Sequence, residues 1–395
     1  MNWGFLALTA CTLGCIIGRP GWLGTVAAGA AVLTCIAAGR KQLPRGFCLH
    51  DPVFLGLTAF GSVVAMQAIL GRTTPSTLGP IANALAFWAL GKGTALTWRK
   101  DLRSLWMGWG GIVAICYGIQ CFLAAISIHP EFFPGFRPMA RTALFLATAT
   151  LILMAAAMSS HRLVPWIASL ATAIMTIVTS RRATLVAMAA ATWPMLRSRR
   201  HTAMVLGLIA ILAAGVVLSG QAMRFTGSFQ ITSPSTYERL AVWHAATQLI
   251  QNYPLLGCGF KTFKTQAAPH VAAFRAAHPA THNPESLDDA HNLILHLAAE
   301  TGILGLTAIM LALLAPGCIL WKNRHAPLVP LALAYSTLFF LHLQLHMHLF
   351  SSNVAAWIFS ILGHTMALAH TSAYDPTPPP SPLPGRFTSA LPPRQ

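Results

Sequence analysis

The sequence predicts an all-α polytopic membrane protein, and two observations carry that expectation. Hydrophobic residues make up 55% of the 395-residue chain and charged residues only 9%, against about 25% charged residues in a soluble domain. Nine carboxylates cannot hydrate a surface of this size, so lipid must cover much of it. The second observation is patterning. Apolar runs near the roughly 17–25 residues that cross a bilayer recur along the chain.

Twelve runs fit: 3–18, 21–38, 52–70, 79–97, 105–127, 142–159, 163–179, 183–196, 202–220, 293–319, 327–347 and 349–370. The run 183–196 is the weakest as a full span. The first run lacks a basic leader and a small-residue cleavage site, so it reads as a retained helix rather than a signal peptide. Short loops that alternate with these runs set the orientation through their Lys and Arg content. Loops holding Arg40, Lys41, Arg45, Arg99, Lys100, Arg103, Arg162, Arg197, Arg199, Arg200, Lys322 and Arg324 fall on one side. The opposite loops hold half as many: Arg19, Arg72, Arg137, Arg141, Arg181 and Arg182. The bias puts both termini in the cytoplasm and the long segment 221–290 outside.

The chain therefore divides into spans at 1–220, an outer loop at 221–290, further spans at 291–370 and a tail at 371–395. The tail, Pro-rich from Asp375, reads as disordered and polyproline-like. The outer loop contains Glu238, Glu285, Asp288 and Asp289, four of the nine acidic residues. A loop this long is usually functional.

The formal net charge of +17 is spread in short groups between apolar runs. That distribution suits anchoring at anionic head groups of membrane lipids and excludes a basic nucleic-acid-binding domain. Most of the eight cysteines lie inside apolar runs and no C-x-x-C occurs, so neither a disulfide framework nor a zinc site is expected. His342, His346 and His348 sit together in one apolar run. Without a nearby Cys or carboxylate they read as packing histidines rather than metal ligands. Lys92, near the cytoplasmic end of its run, reads as snorkelling to the interface.

Three segments can carry chemistry. Thr179-Ser180-Arg181-Arg182-Ala183 is a double-arginine turn. Its guanidinium groups either hold a phosphate in bidentate fashion or rest at the interface. Residues 236–251 read as an amphipathic helix with Arg239 and Trp243 four apart on one face, closed by Pro254, Gly257 and Gly259. Arg239 either faces a head group with Trp243 as a wall, or pairs with Glu238 or solvent. In Ser286-Leu287-Asp288-Asp289-Ala290-His291-Asn292, Ser286 and Asp288 are candidate N-caps of the long apolar helix that follows. His291 then lies at a helix N-terminus, where the dipole favours a bound anion and a neutral imidazole. It is either a general base or a histidine at the water interface.

Together these segments resemble the O-antigen ligase and polymerase superfamily of bacterial envelope glycosyltransferases. The resemblance rests on S-R-R-A at 180–183, R-L-A-V-W at 239–243, N-Y-P-L-L-G-C-G at 252–259, H-N at 291–292 and E-T-G-I-L-G-L at 300–306. It implies a GT-C-like membrane fold that uses no metal or other cofactor. It implies a glycan donor on undecaprenyl pyrophosphate, used at the periplasmic face of the inner membrane. The acceptor is a sugar hydroxyl of lipid A core in ligases and another lipid-linked glycan in polymerases. By motif match Arg181 and Arg239 bind the diphosphate, and His291 activates the acceptor or steadies the departing diphosphate. Arg182, Trp243 and Asn292 are assigned to substrate binding; Arg182 stands where the family often has Gly. The compact chain with one large outer loop favours a ligase. A polymerase is the alternative within the family, and a transporter without glycosyl transfer the alternative outside it.

Overall fold

The computed structural model describes residues 51–97, 108, 110–112, 115, 140–160, 163–178, 182–196, 199–218, 234–278, 289–322, 324, 328–345 and 349–374. The predicted runs 3–18 and 21–38, most of 105–127 and the tail from Asp375 lie outside these residues, as do Arg181, Ser286 and Asp288. Among the described residues every regular element is helical: α1 (Pro52–Ile69), α2 (Gly79–Thr97), α3 (Ala140–Ser160), α4 (Leu163–Val178), α5 (Arg182–Ala191), α6 (Arg199–Leu218), α7 (Pro234–Asn252), α8 (Phe263–Ala277), α9 (Leu293–Trp321), α10 (Val329–Leu345) and α11 (Ser352–Tyr374).

The apolar runs map onto helices, and α1 and α9 are long and apolar enough to cross a membrane. Bulky apolar residues remain exposed along α4 (Leu163, Val164, Ile167) and α9 (Ile303, Leu304, Leu311, Leu314). Contiguous exposed apolar faces of this kind need a lipid or protein cover.

Two runs differ from expectation. The run 183–196 is shorter as a helix, because α5 stops at Ala191 and a 3-10 turn, Trp193–Met195, follows. Pro194 supplies no amide donor to continue the ladder. The run 293–319 is not one straight helix: α9 breaks at Gly302 (φ 63°, ψ −169°). Its apolar part after the break, 303–321, spans about 28 Å at 1.5 Å per residue, close to the roughly 30 Å hydrocarbon thickness of a bilayer.

The larger core is built where α9 lies along α1 and α11 along α2. Glycines let the second pair approach closely. A Cβ on Gly91 would sit 2.1 Å from the Ser360 carbonyl oxygen, and one on Gly363 would sit 2.3 Å from that of Trp88. Small residues at such crossings trade side-chain bulk for backbone contact.

Lys92, expected to snorkel, does not. Its side chain and that of Asp51 are both fully buried, and its Nζ lies 2.7 Å from Asp51 Oδ2. Asp51 Oδ1 also caps α1, accepting from Val53 N at 2.9 Å. The contact with Asp51 holds the ammonium inside the bundle, where reaching the interface would break an ion pair. Removing one partner of a buried pair leaves an uncompensated charge, at about 3–5 kcal/mol. Lys92→Met is therefore expected to lower thermal stability in detergent more than Lys92→Met combined with Asp51→Asn, which keeps the cap and removes the stranded charge. Equal melting temperatures for single and double variants would contradict this.

A second, smaller core forms at the opposite end of α1. Ala241, Val242, Ala245, Ala246 and Leu249 of α7 pack on Phe263, Ala267 and Val271 of α8 and on Ala299 of α9. Their spacing gives α7 the predicted amphipathic character, since Leu240, His244 and Thr247 on the other face are exposed.

Candidate active site

The smaller core is joined to the bundle by the turn 253–262, which runs against the break in α9. Cys258 N donates to Ala299 O (2.9 Å), Gly259 N to Glu300 O (3.0 Å) and Ile303 N to Pro254 O (2.9 Å). Gly257 and Gly302 have φ of 72° and 63°, a region that L-residues with a Cβ rarely adopt. A Cβ on either would also fall 2.2–2.3 Å from backbone of the other segment. The motifs at 252–259 and 300–306 are thus two halves of one interlocked joint.

Gln67, near the end of α1, completes the joint. Its fully buried amide donates to Glu300 O (2.7 Å) and to Leu256 O, and its Oε1 accepts from Phe260 N (3.0 Å). Arg72 donates to Gly257 O (2.9 Å) and lies over the Tyr253 ring. Phe260 packs edge-on against the stacked rings of Phe60 and Phe350, its centroid 5.3 Å from each. The Cys258 thiol is pushed up to about 11 by burial, which disfavours the thiolate.

His291 lies beside this joint, immediately before α9. The cap of α9 is Asn292, not the expected Ser286 or Asp288: its Oδ1 accepts from Leu295 N at 3.0 Å. A one-turn error of this sort arises because Ser, Asp and Asn all cap well and the segment offers several. His291 itself has φ 48°, a conformation uncommon outside glycine. Asp289 holds it there, with Oδ1 accepting from His291 N (2.7 Å) and lying 3.1 Å from Nδ1. The Asp289 side chain is 8% exposed and that of His291 41%. A neutral imidazole in this setting donates from Nδ1 to Asp289 and keeps Nε2 as its open lone pair.

The other predicted residues divide. Trp243 donates from its indole to Ala290 O (2.9 Å), bracing the residue before His291. Arg239 is half-buried four residues earlier on the same face of α7, about 6 Å away along the axis. Trp243, His291 and Asn292 therefore gather at one place, with Arg239 one turn away on the Trp243 face of α7. Arg182 is the first residue of α5. That end of α5 abuts the end of α10, where Thr184 Oγ1 lies 3.2 Å from the buried His342 Nδ1. Phe350, a short way beyond α10 in the chain, stacks on Phe60 and touches Phe260. The start of α5 and the joint thus lie at the same end of the bundle.

Sequence reasoning missed Gln67, Asp289 as the holder of His291, and the pair His296–Glu300. His296 Nε2 lies 3.2 Å from Glu300 Oε2, with both side chains nearly fully buried. The i,i+4 spacing of His296 to Glu300, the first residue of the last motif, was the available signal.

Taken as chemistry, the site offers a helix N-terminus and an oriented imidazole together, with Arg239 one turn from the Trp243 brace on α7. Residues 147–310 match the family model for O-antigen ligase. No curated protein matches the chain.

Proposed function

Starting from a chain whose residues 147–310 fall in the O-antigen ligase superfamily, we propose that it is a metal-independent membrane glycosyltransferase of the ligase type. On this reading it has about twelve spans in a GT-C-like arrangement in the bacterial inner membrane, with both termini cytoplasmic and 221–290 in the periplasm. It moves a glycan from undecaprenyl pyrophosphate to a sugar hydroxyl of lipid A core. The observation that carries the reading is the Asp289–His291 pair at the α9 N-terminus, with Arg239 one turn from the Trp243 brace.

In the reaction the acceptor oxygen attacks the anomeric carbon as the bond from that carbon to the diphosphate oxygen breaks. The acceptor proton passes to His291 Nε2, whose partner Asp289 steadies the imidazolium that forms. Charge growing on the departing diphosphate is met by Arg239 and by Arg181 or Arg182. The N-terminus of α9 adds its dipole. Fixed cationic groups aimed at developing charge stabilise a transition state without reorganising. Direct attack inverts the anomeric configuration. Trp243 shapes the wall of the pocket, and the Asn292 amide lies at its rim.

A polymerase of the same superfamily would use the same groups on a second lipid-linked glycan. The single large outer segment favours the ligase. Lipopolysaccharide gels of a strain lacking the protein separate the two. Bare core, with polymer retained on lipid diphosphate, is the outcome expected of a ligase. Core capped by one repeat would replace that reading with the polymerase, and an unchanged ladder would contradict both.

A further inference from the structure

We propose that Glu300 and His296 form a buried positioning pair that sets the backbone of the His291 loop through the tautomer of His296. The proposal deepens the reading of His291 as general base and rests on it.

The hydrogen bonds around the pair leave one consistent arrangement. Ala290 N donates to His296 Nδ1 at 3.3 Å, so Nδ1 must carry a lone pair. The proton of the neutral ring is then on Nε2, 3.2 Å from Glu300 Oε2. The other carboxylate oxygen, Oε1, accepts from Phe263 N at 3.1 Å. Phe263 also packs its ring 4.8 Å from that of His296. A carboxylate, with acceptors on both oxygens, fits both neighbours. Because the side chains are 5% and 3% exposed, water is poorly placed to substitute for a lost partner, and an unmet buried donor is expensive.

The far end of this relay is the peptide next to His291. Ala290 N is held by His296 and Ala290 O by Trp243, while Asp289 holds His291. The strained φ of His291 is thus determined from both sides. Glu300 is also the residue whose carbonyl oxygen binds Gly259 N and Gln67. One residue of α9 thereby ties the joint with the bundle to the loop that presents the imidazole.

Glu300→Gln is nearly isosteric but exchanges one acceptor for a donor. With its oxygen kept on Phe263 N, its NH2 faces His296 Nε2. His296 must then move its proton to Nδ1, where it confronts the Ala290 N–H. Two donors cannot share that contact, so the His291 loop shifts. Misplacing a reacting group by about 1 Å can cost on the order of 100-fold in rate.

The test uses the full chain in nanodiscs, with 15N-histidine labelling and steady-state transfer kinetics. Glu300→Gln is expected to convert one histidine, identified by its loss in His296→Gln, from the Nε2–H to the Nδ1–H tautomer. It is expected to lower kcat by about 10- to 100-fold with the donor KM little changed. Added to His296→Ala, it should cause no further loss. A wild-type kcat in Glu300→Gln, an unchanged tautomer, or additive losses in the double variant would each overturn the proposal. If the wild-type protein transfers nothing, the functional reading fails. The tautomer exchange, visible without turnover, then decides the coupling alone: its presence supports the pair's role and its absence refutes it.

Discussion

His291→Ala is expected to lower the rate of glycan transfer by about 10²–10⁴-fold, the usual worth of a positioned general base. The loss should fall on kcat. On the proposed mechanism the imidazole meets the acceptor proton as the new bond forms, whereas the arginines hold the diphosphate. Donor binding should therefore survive in the variant, and size-exclusion behaviour should match wild type because the side chain is partly exposed. The geometry makes the expectation specific. Asp289 Oδ1 fixes both the backbone amide and Nδ1 of His291, which leaves Nε2 as the basic atom. Without the ring the loop has no equal substitute: Asn292 is no base and its oxygen is engaged with Leu295 N, and the Asp289 carboxylate is only 8% exposed. Transfer at the wild-type rate would remove His291 from the mechanism.

Arg239 carries the second large effect. Arg239→Ala is expected to reduce kcat/KM by about 10²–10³-fold, as loss of one stabilising donor does in other preorganised sites. Arg239→Lys should recover only part of it. A lysine keeps the charge but not the planar fork that binds two phosphate oxygens at once. The helix should tolerate both changes, since the buried face of α7 is Ala241, Val242, Ala245, Ala246 and Leu249. Full recovery by lysine would mean that charge alone matters at this position; wild-type kinetics in Arg239→Ala would exclude contact with the diphosphate.

Much of the helical plan could be read from the apolar runs, because a bilayer-length stretch of hydrophobic residues has few other uses. What could not be read shares a physical cause. Gly302 looks like any glycine in an apolar run, and only its contact with Leu255, distant in sequence, makes it a break. Gln67 is a single polar residue in an apolar helix, and its meaning depends on carbonyl groups 189 and 233 residues away. Lys92 looks like a snorkelling residue in sequence because no pattern matches it to Asp51, 41 residues earlier.

The candidate site was partly legible for the opposite reason. Arg239 and Trp243 share a helical face by spacing alone, and a histidine beside helix-capping residues marks a helix start. The holder of His291 was harder to see. With Ser286 or Asp288 as the cap, Asp289 falls inside the helix, and nothing in the pattern then marks it as the partner of His291. The pair His296–Glu300 is hidden in sequence by the apolar residues around it, although its i,i+4 spacing suits a contact. Arg181 lies outside the described residues, so its partnership with Arg239 stays a proposal that variants at both positions can test.

The most direct measurement supplies the purified full-length protein, in nanodiscs, with a synthetic glycan on a polyprenyl diphosphate and a core-sugar acceptor. Mass spectrometry then follows both products. The account expects one new glycoside, inverted at the anomeric carbon, and one free lipid diphosphate for each turnover. Donor and acceptor recovered intact under conditions where the donor binds would contradict it and leave the chain a carrier or receptor of the lipid rather than its transferase.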